Sequence, residues 1–206
     1  VLSSSGDVTV EYRLAVSVQK DNVFPRMIIK AVDNGNSFKA SMGYYRDLCS
    51  NLSMMRMVKG TTVSIRHMSN LRAEMNELVD TFGVLGESWD GLAERIQALE
   101  ATKVNIESVI ESIYGKLPEE QGRKKTTHDN RTKSIIHRIF NEQFKAGRVT
   151  DDPEHVTAWE MINGIQGYSQ WSRSPNSNRT DFERAIKSFS DTNVHDAEKL
   201  LVGMVA

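Results

Sequence analysis

Thirteen positions between Leu71 and Ile113 follow one another by alternating steps of four and three residues, and twelve of them are apolar. Leu71, Met75, Leu78, Phe82, Leu85, Trp89, Leu92, Ile96, Leu99, Ile106, Ile110 and Ile113 hold the frame, and Lys103 is its one polar member. Apolar residues recurring at that period form a stripe along one side of an α-helix, the pattern of a coiled-coil seam. Gly83, Gly86 and Gly91 lie off the seam, and each costs a helix about 1 kcal/mol relative to alanine. A turn among them would be expected to break the frame, which runs on unbroken. The reading is one long or gently kinked helix after an N-cap at Ser69, with a helical hairpin turning near residues 83–91 as the alternative. A seam of this length carries more apolar surface than one short domain readily covers. Self-association through Leu71–Ile113, giving a homo-oligomer, is therefore expected.

Upstream of the seam the period changes from helical to two. Val8, Val10, Tyr12, Leu14, Val16 and Val18 alternate with polar or small residues, a half-buried strand. Asp21-Asn22 is expected to turn, Pro25 to limit the next element, and residues 27–32 to form a second strand. Asp33-Asn34-Gly35-Asn36 is the best turn in the chain, because Asn-Gly tolerates the positive φ of a tight hairpin. A third strand is expected near residues 38–42 and a last one over 61–68, with Val63, Ile65 and His67 on one face. Residues 44–57 read as a short helix or a further strand, with helix preferred.

Downstream, residues 115–130 read as a polar loop containing Pro118 and Gly122. Residues 134–146 read as a short helix, Asp152-Pro153 as the start of another over 154–168, and residues 172–180 as a Ser- and Asn-rich loop. Short helices over 181–189 and 194–205 close the chain. The fold class expected is α+β. A mostly antiparallel N-terminal sheet in residues 1–69 precedes a long heptad-patterned helix and a helical bundle in residues 70–206, the two parts forming one domain.

A single cysteine, Cys49, cannot form an internal disulfide, and no apolar run is long enough for a membrane helix. With no basic-then-apolar leader at the N-terminus, a reducing, cytoplasmic location is expected. The first residue is Val1 rather than Met, so residues upstream of it are expected to be missing from this sequence.

Chemistry-bearing patterns are scarce. His67, His128, His137, His155 and His195 show neither HExxH nor paired-cysteine spacing, so no metal site is expected. There is no phosphate-cradling Gly-Lys-Ser/Thr loop and no dinucleotide fingerprint. Cys49 with a distant histidine is a conceivable nucleophile pair, but a lone cysteine is more often a small core residue. Asp151-Asp152 and Glu119-Glu120 read as helix-start and loop acids, and Met54-Met55-Arg56-Met57 as core. A catalyst is not expected, and neither is a cofactor.

Charge is uneven. Residues 1–69 carry nine Lys or Arg against five Asp or Glu, and residues 116–148 carry nine against four. Residues 70–115 carry three against nine, and residues 149–206 five against nine. Oppositely charged segments packing together would account for this. The functional alternative is a positive surface for phosphates built from Arg123, Lys124, Lys125, Arg131, Lys133 and Arg138, with Arg46 and Arg66 from the sheet. Tyr12, Phe24, Phe38, Tyr44 and Tyr45 are available to stack on unpaired bases.

Asn36-Ser37, then Gly43 through Asn51 with Tyr44-Tyr45-Arg46-Asp47-Leu48-Cys49 at its centre, then Ser64-Ile65-Arg66-His67-Met68, resemble the phage- and plasmid-encoded family called domain of unknown function 932. Ala158-Trp159, Tyr168, Phe182-Glu183-Arg184-Ala185 and Ala197-Glu198-Lys199-Leu200-Leu201 are similar to its closing helices, so the resemblance spans roughly residues 27–206. It implies a mobile-element source and expression in a bacterial cytoplasm, and it carries no established activity. A sheet followed by long helices is also similar in outline to phage single-strand annealing proteins. The leading expectation is a non-enzymatic protein that binds single-stranded nucleic acid in recombination or replication. The alternative is an interaction factor acting on a host protein, for example to blunt a defence system.

Overall fold

The computed structural model describes residues 8–11, 16–18, 21–31, 37–46, 62–66, 94–145, 152, 154–173, 175, 178–179, 184, 188 and 191–205, the segments before residue 67 as backbone strands. Those strands are β1 (Val8–Glu11), β2 (Val16–Val18), β3 (Asp21–Ala31), β4 (Ser37–Arg46) and β5 (Thr62–Arg66). They form one antiparallel sheet in the order β1-β3-β4-β5, with β2 also paired to β3.

The alternation expected from Val8 to Val18 is split between β1 and β2. Glu11 pairs with Arg26 and Val16 with Val23, so the register steps by two, an even shift that keeps the same residues on the same face. No turn occurs at Asp21-Asn22, because both residues pair with β2, and β3 begins there, ahead of Pro25. β4 runs on through Tyr44, Tyr45 and Arg46, which corrects the helical preference at the start of residues 44–57. The pair Ala31–Phe38 brackets the expected Asn34-Gly35 reversal.

The long helix does not continue along the whole seam. Residues 94–101 are helical (α1), β6 (Lys103–Asn105) follows, and α2 (Ile106–Tyr114) begins afresh. The seam positions Leu71 through Leu92, and Cys49, lie outside the described residues. The break falls at Lys103, the one polar seam position, flanked by β-branched Thr102 and Val104, which favour extended backbone. Asn105 then accepts a hydrogen bond from the Ser108 N–H as the N-cap of α2.

β6 pairs antiparallel with β7 (His155–Thr157), and the ladder is lengthened by Ile106 N–H to Glu154 O and Ala158 N–H to Thr102 O. Asp152 therefore does not start a helix: its carboxylate accepts from the Glu154 and His155 N–H groups and turns the chain into β7. Helix α4 (Ala158–Gly167) starts only at Ala158, where Thr157 and Glu160 make a reciprocal capping box.

Residues 115–130 are not all loop. α3 (Arg123–Lys145) takes in their second half and absorbs the short helix expected from residue 134. Helix α5 (Thr192–Gly203) closes the described chain. All ten residues of α4 are buried, so α3, α5 and the small sheet are arranged around it. Trp159, Ile162 and Ile165 meet Ile135 and Ile139 of α3, Leu201 of α5, and the seam residues Ile96, Leu99, Ile106 and Ile110 in one core. The last part of the seam is thus spent on the chain's own interior.

Candidate functional site

Two features gather groups able to meet a ligand: one face of the N-terminal sheet, and a polar cleft where α4 ends.

The register sorts the sheet into two faces. Val8, Val10, Val16, Val18, Val23, Met27, Ile29, Ala31, Phe38, Ala40, Met42, Tyr44, Val63 and Ile65 fall on one, with Asp21, Pro25 and Arg46. Arg26, Lys30, Lys39 and Arg66 fall on the other, where Glu11 is the only acid among the described strands. Phe24 and Tyr45 are direct cross-strand partners on this basic face, and so are Lys30 and Lys39. Of the sheet residues expected to contact nucleic acid, Tyr45 and Arg66 share the basic face, whereas Tyr44 and Arg46 occupy the other. Arg26, Lys30 and Lys39 were missed, although a two-residue turn at Asn34-Gly35 would have set their register.

The basic segment of residues 123–138 is helical and divides in two. Arg123, Lys124 and Lys125 form the first turn of α3, which holds no acid. Arg123, Lys124 and Lys133 are exposed. Cations at a helix N-terminus oppose the macrodipole, so this end is strongly electropositive. Arg131 and Arg138 are instead committed inward. The Arg131 guanidinium carbon lies 4.6 Å from the centre of the Tyr114 ring, and Arg138 Nε donates to Ser172 Oγ at 3.1 Å.

Arg138 thereby reaches a single π-helical turn, Tyr168–Ser172, that continues α4. Such turns are rare, and they concentrate at functional sites because the extra residue re-aims side chains. Every side chain of this turn has a partner on another segment. Tyr168 meets the Tyr114 ring edge-on at 6.5 Å, and Ser169 donates to Asp191 at 2.6 Å. Gln170 donates to Ser188, Trp171 lies under the Arg184 guanidinium, and Ser172 accepts from Arg138. Gln166, one turn earlier, donates to the buried Glu198 carboxylate at 2.8 Å.

Where α2 ends against this turn, a cleft of about 290 Å³ is lined by Ile113, Tyr114, Arg131, Tyr168, Arg173 and Asn193. Asp191 ties two of the lining residues, Arg173 and Asn193, together. One carboxylate oxygen takes Arg173 Nη1 and Ser169 Oγ, both at 2.6 Å, and the other caps α5 by accepting from the Asn193 N–H. The hydrogen bond to Asp191 holds Arg173 still more firmly protonated. Burial, and then the Asp191 charge, push the Tyr114 phenol well above the ordinary tyrosine range, against the pull of Arg131 and Arg173. Sequence reading identified only Arg131 of these residues. Tyr114, Tyr168 with Arg173, and Asn193 come from three separate segments and share no local motif.

Among the described residues no group of three His, Cys, Asp or Glu side chains is placed to hold a metal ion, and no helix is long and apolar enough to cross a membrane. The family model described as Domain of unknown function (DUF932) matches residues 9–201. No curated protein and no solved structure matches the chain.

Proposed function

This chain belongs to the DUF932 family, and from that premise we propose that it is a non-enzymatic, phage- or plasmid-encoded protein that binds single-stranded nucleic acid during recombination or replication. One observation carries the reading: the register that sets Arg26, Lys30, Lys39 and Arg66 on one sheet face with the cross-strand pair Phe24 and Tyr45. Like charges directly opposite one another, as at Lys30 and Lys39, destabilise a sheet. Phosphates seated between them would reverse that cost. Flat aromatics beside cations suit bases whose faces are free, and so favour single strands over duplex. The electropositive first turn of α3 supplies a further attraction for phosphate.

A labelled single-stranded oligonucleotide titrated at several salt concentrations tests this. If Lys30 and Lys39 each neutralise one phosphate, Lys30→Glu with Lys39→Glu lowers the slope of log affinity against log salt by about 1.4, at about 0.7 per contact. Tyr45→Ala instead costs roughly 1–3 kcal/mol of binding at nearly unchanged slope. Absence of binding at low salt and micromolar protein removes the proposal, and a host-protein partner then becomes the reading to pursue.

A further inference from the structure

We propose that the cleft between the end of α2, the middle of α3 and the π-helical turn is a binding site for a phosphate-class oxyanion, with Arg131 and Arg173 as its cationic partners. It is a separate site from the basic sheet face, and it stands whether or not that face binds nucleic acid.

The lining is rich in donors. Two guanidinium groups, two phenols and the Asn193 amide meet there, and Ile113 is the only apolar member among the described residues. The carboxylate beside it is already occupied: the Asp191 side chain is 8% exposed and its oxygens serve Ser169, Arg173 and the Asn193 backbone. Among the described residues, one negative charge against two positive ones makes the cleft cationic.

Arg131 is the decisive residue. Its guanidinium stacks on Tyr114 and has no carboxylate partner among the described residues, so its N–H edges are held beside the cleft. A stacked, preorientated fork is the arrangement that recognises planar pairs of phosphate oxygens. Arg173 spends Nη1 on Asp191, and its guanidinium retains further N–H donors. Asn193 lies in the first turn of α5, so the helix end adds a favourable field for negative charge. The Tyr114 phenol stays protonated through the physiological range and remains a donor.

Thermal denaturation of the full chain in increasing inorganic phosphate, against sodium chloride at matched ionic strength, reads the site directly. Phosphate raises the midpoint saturably where chloride does not. Arg131→Gln shifts the half-saturating phosphate concentration upward by at least about tenfold, the worth of a hydrogen bond to a charged group. Asn193→Ala keeps the backbone cap from Asp191 and raises it by about fivefold, which provides a second reading should Arg131→Gln fold poorly. Two oligonucleotides, one with a 5′-phosphate and one with a 5′-hydroxyl, then distinguish the source. Tighter competition by the phosphorylated strand assigns the anion to a strand end, and equal weak competition by both assigns it to free phosphate or a mononucleotide. A midpoint that follows ionic strength alone, or an unchanged phosphate response in both variants, overturns the proposal. Loss of oligonucleotide binding in the Lys30 and Lys39 variants with this response intact would separate the two sites.

Discussion

Tyr114 carries a strongly displaced proton affinity. Its phenol holds its proton more tightly in the folded chain than the ordinary value of 10.0. A group raised in this way contributes stability that is whole below the unfolded value and is lost as pH climbs from there toward the folded one. Thermal midpoints recorded from neutral pH to beyond pH 10 should therefore fall more steeply for the wild type than for Tyr114→Phe. Parallel curves would show that Tyr114 contributes no such linkage. The next residue, Gly115, ends α2 at φ +83, a conformation open to glycine and strained for a side chain. Its carbonyl oxygen lies 3.1 Å from Nε2 of the buried His128, tying the loop to α3. Gly115→Ala should cost about 1–2 kcal/mol in urea denaturation, although a methyl group there would meet nothing.

Among the elements, α3 and α4 approach closely because Gly164 carries no side chain: a methyl group would overlap Ile139. Gly164→Ala should destabilise by about 1–3 kcal/mol through overpacking, despite alanine's better helix propensity. Ile139→Ala, which removes the side-chain atoms a methyl group there would overlap, should recover part of the loss beyond its own cost, and a double-mutant cycle measures the coupling. This is also the scale at which sequence reading succeeded and failed. The sheet was legible because period-two alternation and Asn34-Gly35 are local signals. The start of α3 was not, since Arg123–Ser134 contains no apolar residue and gives the helical period nothing to act on. The break in the seam left one trace, Lys103, and its physical cause lies some fifty residues away in β7, beyond the reach of any local pattern. The Thr157–Glu160 capping box was visible as spacing, yet the reading began that helix early, at residue 154, because Asp152-Pro153 offered a competing start.

At the level of the whole molecule, the charge blocks take different forms: a basic sheet face, a basic helix end, and acids distributed through α2 and α5. The cleft residues were illegible for a related reason, since tertiary packing alone assembles them. The seam divides as well. Ile96, Leu99, Ile106 and Ile110 are enclosed in the chain's own core, so self-association, which we still propose, would have to use the part from Leu71 to Leu92. Leu85→Asp should then lower the mass measured by light scattering, and a wild type that is monomeric at tens of micromolar would remove that proposal.

The pairing of β6 with β7 has a consequence for how such a chain is made. It fastens Val104 to Val156, so that α2 and α3 lie within one closed stretch of the chain. During synthesis from the N-terminus, Val104 has no partner until Val156 has left the ribosome, and α4 follows later still. Ile96, Leu99, Ile106 and Ile110 must wait through that interval without the helix that completes their core. Closing a loop of this size costs entropy before any contact repays it. A nascent chain halted near residue 150 would therefore present an uncovered apolar stripe, a ready substrate for a holdase chaperone or a protease, and only release of the following fifteen or so residues would withdraw it.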